Sequence, residues 1–412
     1  MVDNLMVKQE FLHTGASVSA SLAAHIAQRI DTAGGWLPFD EFMQAALYTP
    51  GLGYYANSSA KFGHMPPTAH QEGSDFVTAP ELSPLFGACL GEQVVQALQA
   101  SNTRHVIEFG AGSGALALQI CELLAHSGYT LDQYFIVELS ANLRARQQEK
   151  LAAWAGKITW LDALPPAIEG VVIGNEVLDA MPVKLLARKA GVWHERGVAF
   201  ERSLGADSGA GAERSAESMS EQLNNGQFIN GKFIWQDRAS SLRPPIDIAG
   251  SHDYLTEIHP QAEAFMHTLA QHLERGAAFF IDYGFPDSEY YHPQRHMGTL
   301  MCHFQHRADP DPLAMVGLKD ITAHVNFSAI ALAGQDAGLD VLGYSTQARF
   351  LMDCGLLQKM EDVTLMQRAM AAKLATEHEM GELFKVVGFA KGFDLAQFEP
   401  LGFANGDRSQ TL

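Results

Sequence analysis

The feature that most constrains the fold is the stretch 104–114, which reads RHVIEFGAGSG. Apolar Val106 and Ile107 predict a buried strand, and the segment ALALQICELLA that follows has helical spacing without a breaker. Between the two lie three glycines, Gly110, Gly112 and Gly114. Glycine adopts positive φ and lets a ligand approach the backbone, and a helix N-terminus offers free N–H groups. The stretch therefore predicts a strand, a glycine turn and a helix that bind a nucleotide-like ligand.

The kind of ligand is indicated by Glu108, which lies two residues before the first glycine. The glycines alone are a weak signal, because together with Ala115 they also satisfy the dinucleotide pattern G-x-G-x-x-G/A. An acid at this place meets a cationic ligand group better than a pyrophosphate. S-adenosylmethionine (SAM) carries an ammonium and a sulfonium but no phosphate. The stretch therefore favours SAM, and we expect Ala111 to contact it together with the glycines.

Composition sets outer limits on the class of protein. A chain of 412 residues with 47% hydrophobic residues can hold one large α/β core with elaborations, or two domains. The net charge of −19 argues against a general nucleic-acid binder, whereas a basic partner is compatible with it. The four cysteines lie far apart and the histidines show no ligand spacing, so we expect neither disulfides nor a metal. Without a signal or a membrane-spanning stretch, the pattern indicates a cytoplasmic protein.

Acidic residues follow the next two predicted strands, at the edge where an open α/β sheet holds its ligands. The strand YFIVELS leads to Glu138, and an acid at this place typically holds ribose hydroxyls. We therefore expect Glu138 to bind the ribose of SAM, with Leu139 beside it. The strand ITWLDALP leads to Asp162, where the adenine amine would lie. A solvated turn accounts for this Asp almost as well.

Three polar residues, Asn175, Glu176 and Asp179, follow the fourth predicted strand in GVVIGNEVLDAMPV. Polar residues clustered at the carboxyl end of a buried strand, beside a cofactor site, are where chemistry is expected. Helix capping by Asn175 and Asp179 is the alternative, but a cap uses one such residue and not three. We predict that all three take part in the reaction and that Asn175 also contacts the cofactor.

Two further stretches supply candidate residues for the acceptor. The fifth predicted strand, AAFFIDYGFP, contains Asp282 and Tyr283 near its end. The segment 298–351 is unusually dense in polar groups for a connector. From this segment we expect His306, Arg307 and His324 to form part of the wall on the acceptor side.

The order of segments predicts the domain organisation. Residues 1–100 are expected to form a helical and lid region, whose loop at 51–76 is rich in Gly, Pro, Ser and His. Residues 101–412 are expected to form the α/β core, which finishes with a late pair of strands. Insertions are expected at 184–255, with a β-hairpin and a mobile polar segment, and at 286–335 on the acceptor side.

These motifs occur together in one known family. The ordered set FVTAPELSPLFG, VIEFGAGSG, IVELS with LRARQ, NEVLDAMPV, IDYG, GTL with HR, DITAHVNF and FLMDCGL resembles the MidA family. Its members are SAM-dependent methyltransferases related to the mitochondrial assembly factor that methylates an arginine on a complex I subunit. The resemblance covers residues 37–393, with gaps at the insertions.

The resemblance implies a Rossmann-like, seven-stranded methyltransferase core, SAM as methyl donor and a partner protein with an exposed arginine. By position, Glu108 and the three glycines match the family's first motif, and Glu138 matches its ribose acid. The residues of the NEVLD stretch match the fourth-strand motif, and Asp282 with Tyr283 the fifth. One departure is the loop at 64–74, which is longer than the family pattern and is followed by GSDF where GDF is usual. It affects the lid and not the cofactor site.

The acceptor stays open at this point, because a fold does not determine what it acts on. One alternative is a methyltransferase of the same fold that acts on another protein residue or on a small molecule. Another is a scaffold or assembly factor that binds SAM but works by holding a partner, and an NAD-linked dehydrogenase is the weakest alternative. Dependence of turnover on Glu176 and Asp179 separates an enzyme from a scaffold.

Overall fold

The computed structural model describes residues 2–57, 78–202, 227–228, 231–304 and 307–412, with the backbone alone for 2–14, 227–228 and 307. Two compact units divide the chain, and each consists of three segments. Unit 1 comprises 1–61, 182–258 and 291–323, and unit 2 comprises 62–181, 259–290 and 324–412. These boundaries differ from the division expected at residue 100. The mobile segment expected after the hairpin, and most of the loop at 51–76, lie outside the described residues.

The helices of the described residues range from single turns to long rods. They are α1 (Val2–Thr32), α2 (Phe39–Tyr48), α3 (Ala79–Leu82), α4 (Pro84–Ser101), α5 (Ala115–His126), α6 (Ala141–Lys150), α7 (Pro260–His272), α8 (Asp287–Tyr290), α9 (Phe327–Asp336), α10 (Gln347–Asp353), α11 (Leu356–Lys359) and α12 (Leu365–Ala375). Within the described part of the chain, none of these helices has an apolar stretch long enough to cross a lipid bilayer.

The strands form separate sheets in the two units. They are β1 (Leu37–Pro38), β2 (His105–Phe109), β3 (Gln133–Val137), β4 (Ile158–Leu161), β5 (Ile168–Asn175), β6 (Lys184–Lys189), β7 (Val192–Arg202), β8 (Gln227–Phe228), β9 (Gly231–Ala239), β10 (Tyr254–Ile258), β11 (Leu273–Phe285), β12 (Met301–Phe304), β13 (Arg307–Asp309), β14 (Asp320–Thr322), β15 (Val325–Asn326), β16 (Asp340–Thr346) and β17 (Phe384–Lys391).

The sheet of unit 2 has the strand order β16-β17-β11-β5-β2-β3-β4, with the short β15 beside β11. Strands β4, β3, β2, β5 and β11 run parallel to one another. Strand β17 lies antiparallel between β11 and β16, so the last strand of the chain is inserted into the sheet. The Rossmann-like, seven-stranded core predicted from the sequence is confirmed.

The central strands of this sheet are apolar on both faces. Val106 and Val171 belong to one apolar cluster, which includes side chains of α4 and α5. Ile107 and Val172 belong to another cluster, which includes side chains of α7 and α9. A strand buried on both faces reads as a continuous apolar run, which is why the sequence pattern predicted these strands. Most of the candidate site residues follow the carboxyl ends of these strands.

Unit 1 contains an antiparallel sheet with the order β10-β6-β7-β9-β8, and β1 pairs with β7. Strands β6 and β7 form a hairpin where the sequence predicts one. Its turn residues Ala190 and Gly191 both have positive φ, as a two-residue type I′ turn requires. Residues of α1 and α2 contribute to a core that includes Phe39, Phe42 and Phe233.

The contact between β2 and β5 allows a test of how closely the two strands that carry the site must pack. A Cβ on Gly170 would lie 2.3 Å from the carbonyl oxygen of His105. Because backbone atoms cannot yield, Gly170→Ala is expected to lower the free energy of unfolding by about 1–3 kcal/mol. Gly156→Ala is the matched control, since nothing lies within 4 Å of that position. Urea unfolding measures both variants, and equal stabilities would contradict this account of the packing.

Candidate functional site

The glycine turn joins the end of β2 to α5 in a backbone conformation that glycine adopts readily. Gly110, Gly112 and Gly114 have φ values of +58°, +54° and +82°. The N–H of Gly110 donates to the carbonyl oxygen of Val137 at 3.2 Å, so the turn is attached to the end of β3. The turn leads directly into the N-terminus of α5. Such a backbone cradle, free of side chains at three positions, suits a close ligand.

Glu108 lies in the buried layer beneath this turn. The residue is 2% exposed, and its carboxylate accepts a hydrogen bond of 2.6 Å from the hydroxyl of Tyr134. Burial raises the pKa of Glu108 to about 7; the charge of Glu138 adds to this effect, and the hydrogen bond from Tyr134 opposes it. The geometry therefore gives Glu108 a partner within the protein. Its contact with a cationic ligand group stays a prediction.

Glu138 follows β3 with both carboxylate oxygens held by the protein. Oε1 accepts from the N–H of Ser140 at 2.8 Å, and Oε2 accepts from Nε2 of Gln147 at 3.0 Å. Burial raises the pKa of Glu138, and these hydrogen bonds oppose the rise. The N–H of Leu139 also hydrogen-bonds to this carboxylate. Because the two oxygens of a carboxylate can accept about four hydrogen bonds, room remains for a ligand hydroxyl. Leu139 is 74% exposed and leaves an apolar side chain open at this strand end.

Asp162 follows β4 and is an exposed residue. Its Oδ1 lies 2.6 Å from Nη2 of Arg144 on α6. The same guanidinium nitrogen donates to the carbonyl oxygen of Glu138 at 2.8 Å. Arg144 thus joins the ends of β3 and β4, which is a link that the sequence did not predict.

The polar turn after β5 is built around the carboxylate of Asp282, which lies on β11 and is completely buried. Oδ2 accepts hydrogen bonds from the N–H groups of Val177, Leu178 and Asp179 at 3.1, 2.9 and 3.2 Å. Oδ1 accepts from the N–H of Tyr283 at 2.9 Å. Asp282 thus lies beneath the turn and holds its backbone, and its contact with the acceptor stays a prediction.

Three carboxylates meet at this turn. Burial raises the pKa of Asp282 well above its usual range, and the nearby charges of Asp179 and Glu176 raise it further. Glu176 has a φ of +54°, which is rare for a residue with a side chain, and its N–H donates to the carbonyl oxygen of Ile281 at 2.9 Å.

Among the described residues no helix begins at this turn, so the helix-capping alternative for Asn175 and Asp179 is wrong.

Asn175 and Asp179 place polar atoms at the same strand end. Nδ2 of Asn175 donates to Oε1 of Glu176 at 3.0 Å. Its Oδ1 is buried and has no hydrogen-bond partner within the described part of the chain. Burial raises the pKa of Asp179 to about 6, and a hydrogen bond from the Tyr283 side chain opposes this. A buried acceptor without a donor fits a ligand with an N–H group, such as the ammonium of SAM.

The structure brings together two of the residues predicted for the acceptor side. The ring of His324 contacts Tyr283 and Phe285 edge to face, with centroid distances of 5.2 Å in both cases. Tyr283 in turn contacts Phe384 at 5.5 Å. His306 lies outside the described residues, and only the backbone of Arg307 is described, so both stay predictions.

Sequence reasoning gave no role to several residues that surround the glycine turn. Glu81 of α3 accepts from the hydroxyl of Ser113 and from Nζ of Lys150, the latter at 3.3 Å. Lys150 also donates to Oγ of Ser113 at 2.9 Å. Gln147 donates to the carbonyl oxygen of Gly112 at 2.9 Å. The sequence did contain a sign of these roles. Glu81 lies in the stretch PELSP and Gln147 in LRARQ, and both stretches are among the motifs that the chain shares with the MidA family.

Metal and cysteine chemistry receive no support from these contacts. Within the described ranges no three His, Cys, Asp or Glu side chains are grouped so that they could hold a metal ion. The four cysteines are buried free thiols, and burial raises the pKa of Cys89 and of Cys121 to about 12.

Comparisons with known proteins give the following relationships. The family described as S-adenosyl-L-methionine-dependent methyltransferases matches residues 89–345, which is more than half of the chain. A crystal structure from Burkholderia thailandensis, bound to S-adenosyl-homocysteine, has 47% sequence identity and a TM-score of 0.83, and the match covers 97% of this chain and 98% of that one.

Two animal proteins are more distant relatives. The mitochondrial protein arginine methyltransferase NDUFAF7 of Danio rerio is 25% identical, over 94% of this chain and 91% of its own. The mitochondrial homolog of Drosophila melanogaster is 26% identical, over 87% of this chain and 79% of its own. Because these relatives are named as mitochondrial proteins, the prediction of a cytoplasmic location is contradicted.

The buried carboxyl of Glu108 gives a test that depends on pH. Its pKa is raised from 4.5 to about 7 on folding, so ionisation costs stability as the pH rises through this interval. Glu108→Gln removes this cost. Between pH 4 and pH 8, the variant is expected to gain about 3 kcal/mol of unfolding free energy relative to the wild type.

Urea unfolding of the ligand-free protein at the two pH values provides the measurement. Glu122→Gln changes an exposed carboxyl on α5 and is the matched control. It is expected to follow the wild type at both pH values. A Glu108→Gln variant with the pH dependence of the wild type would show that this carboxyl is not protonated on folding.

Proposed function

Because this chain belongs to the family of S-adenosyl-L-methionine-dependent methyltransferases, we propose that it methylates an arginine of a partner protein. The cofactor predicted from Glu108 and the glycines is confirmed, since the family is SAM-dependent and the Burkholderia relative binds S-adenosyl-homocysteine. Two relatives are named protein arginine methyltransferases, which supports arginine as the acceptor. The observation that carries the proposal is the group of carboxylates after β5.

The residues present fit SAM along the carboxyl edge of the sheet. The glycine turn, including Ala111, would hold the methionine portion, and the buried Oδ1 of Asn175 would accept from its ammonium. Glu138 would accept from the ribose hydroxyls, with Leu139 and Asp162 near the adenine. When bound, SAM supplies an electrophilic methyl group on a sulfonium, whose leaving group needs no acid. The chain therefore acts mainly by aligning the acceptor.

An arginine acceptor poses a particular difficulty. Its guanidinium is charged at every working pH, and its lone pair is delocalised. Two carboxylates can bind the planar fork, orient one nitrogen and offset the positive charge. Glu176 and Asp179 are the candidates, because both lie close enough to Asp282 for their charges to raise its pKa.

The turn that carries these carboxylates is held from below. Asp282 accepts from three consecutive N–H groups, and the Tyr283 side chain hydrogen-bonds to Asp179. A turn fixed in this way presents Glu176 and Asp179 without a further ordering cost. The acceptor nitrogen loses one proton as it gains the methyl group. Asp179, whose pKa burial raises to about 6, would accept that proton.

The overall charge is compatible with a protein acceptor. At −19, the chain attracts basic segments, and an exposed arginine commonly lies within such a segment. Electrostatic attraction of this kind increases the rate of encounter and weakens as salt is added.

The proposed pair of carboxylates is tested by Glu176→Gln. The variant retains the size of the side chain but loses its charge, so methyl transfer should fall by about 100-fold or more while the affinity for SAM changes little. Transfer is measured with radiolabelled SAM and a cell extract as the source of acceptor, and affinity is measured by calorimetry.

Glu169→Gln is the matched control, because Glu169 is exposed near the start of β5, whereas Glu176 follows the end of that strand. Its transfer rate is expected to equal that of the wild type. Unchanged turnover in Glu176→Gln would remove this residue from the mechanism. Binding of SAM without transfer by the wild-type protein, with every extract tried, would favour the scaffold alternative.

A further inference from the structure

Gln147 on α6 contacts the glycine turn, the residue Glu138 after β3, and Trp160 on β4. Its side chain is completely buried. Nε2 donates to the carbonyl oxygen of Gly112 at 2.9 Å and to Oε2 of Glu138 at 3.0 Å. Oε1 accepts from Nε1 of Trp160, on β4, at 2.9 Å. Both N–H groups and the oxygen of one amide are therefore used.

The identities of these partners determine the chemistry required at position 147. A carbonyl and a carboxylate can only accept hydrogen bonds, and the indole N–H can only donate one. An amide is the side chain that provides two donors on one side and an acceptor on the other. Packing adds to this constraint, since a Cβ on Gly114 would lie 3.4 Å from Cγ of Gln147.

We propose that Gln147 is a positioning residue of the SAM site. It sets the orientation of the Glu138 carboxylate relative to the glycine turn and anchors both to β4 through Trp160. The inference rests on the proposed role of Glu138 as the ribose ligand. Without the N–H of Gln147, Oε2 of Glu138 loses that side-chain donor, and the carboxylate is held by backbone N–H groups of its own turn and is no longer tied to the glycine turn or to β4.

A purely structural role predicts a different response to charge. If Gln147 only fills space, a Glu of the same shape should serve nearly as well at any pH at which the protein is folded. If it positions Glu138, an ionised carboxyl at this place repels Glu138 and cannot donate to Gly112. A protonated carboxyl can still donate one hydrogen bond to Glu138 and accept one from Trp160.

The test is therefore the affinity of Gln147→Glu for SAM, measured by calorimetry at pH 8 and pH 6 on the full chain. Gln148→Glu is the matched control, because Gln148 is the next residue of the same helix and is exposed. At pH 8 we expect Gln147→Glu to bind SAM about 30-fold or more weakly than the wild type, and this ratio to shrink by about tenfold at pH 6. Gln148→Glu should stay within about twofold of the wild type at both values.

Other titratable or charged groups near Gln147 are Glu138, Arg144, Glu108 and Asp162, together with Lys150 on the same helix. These groups are present in all three proteins. Expressing each affinity relative to the wild type at the same pH therefore removes their shared contribution. What remains is the titration of the introduced carboxyl together with Glu138, to which it is coupled.

Thermal unfolding shows whether the variant is folded. If Gln147→Glu fails to fold, Gln147→Met decides the matter, because it preserves the volume and removes the hydrogen bonds. It should then bind SAM about tenfold more weakly. Wild-type affinity in a folded Gln147→Glu or Gln147→Met variant would overturn the inference, and so would a loss of affinity in Gln147→Glu that does not change with pH.

The ribose assignment fails separately from this inference. If Glu138→Ala keeps the SAM affinity of the wild type, Glu138 is not a cofactor ligand, and the proposal that Gln147 positions it for SAM is overturned with it. If Glu138→Ala loses affinity while Gln147→Glu does not, the ribose assignment stands and the positioning role is overturned. Neither result depends on whether the acceptor is an arginine.

Discussion

The candidate site depends on one buried carboxylate, that of Asp282. It is completely buried, and it accepts hydrogen bonds from the N–H groups of residues 177–179 and of Tyr283. An unpaired carboxylate at this depth would be costly, and these N–H groups would otherwise lack partners at the end of β5. The interaction joins β11 to the turn after β5. The positions of Glu176 and Asp179 follow from it.

The carboxylate of Glu138, which is predicted to bind the cofactor, is also held by hydrogen-bond donors of the protein. Glu138 accepts from the N–H of Ser140 and from the amide of Gln147, and Gln147 also holds the glycine turn. Asp282 on β11 and Glu138 after β3 are thus both oriented by donors of the protein. Preorganised groups of this kind need little rearrangement during the reaction, which suits a transferase that works mainly by alignment.

The parts predicted correctly from the sequence were those with local signals. Continuous apolar runs gave the parallel strands, and the glycines gave the turn into α5, because both patterns reflect the backbone itself. The direction of a side chain at a strand end was not predictable. Asp282 and Asn175 both appear in the sequence as polar residues after apolar runs. In the structure, Asp282 is completely buried beneath the turn, whereas the buried Oδ1 of Asn175 has no donor among the described residues. That difference depends on partners about a hundred residues away.

The hydrogen bonds that join α6 to the ends of the strands could not be predicted from the sequence either. The roles of Arg144 and Gln147 depend on which strand ends lie beside α6, and this follows only from the assembled sheet. The two units each consist of three separate segments, so their boundaries have no single mark along the chain. A cytoplasmic location was predicted because the sequence shows neither a signal nor a membrane-spanning stretch, and the mitochondrial names of two relatives contradict this prediction.

The most direct test of the account is to locate the transferred methyl group. The protein is incubated with isotopically labelled SAM and a cell extract, and labelled peptides are fragmented in a mass spectrometer. The account predicts the label on a guanidinium nitrogen of an arginine. A label on lysine, on a carboxylate or on a small molecule would contradict arginine as the acceptor, and the roles proposed for Glu176 and Asp179 would have to be abandoned.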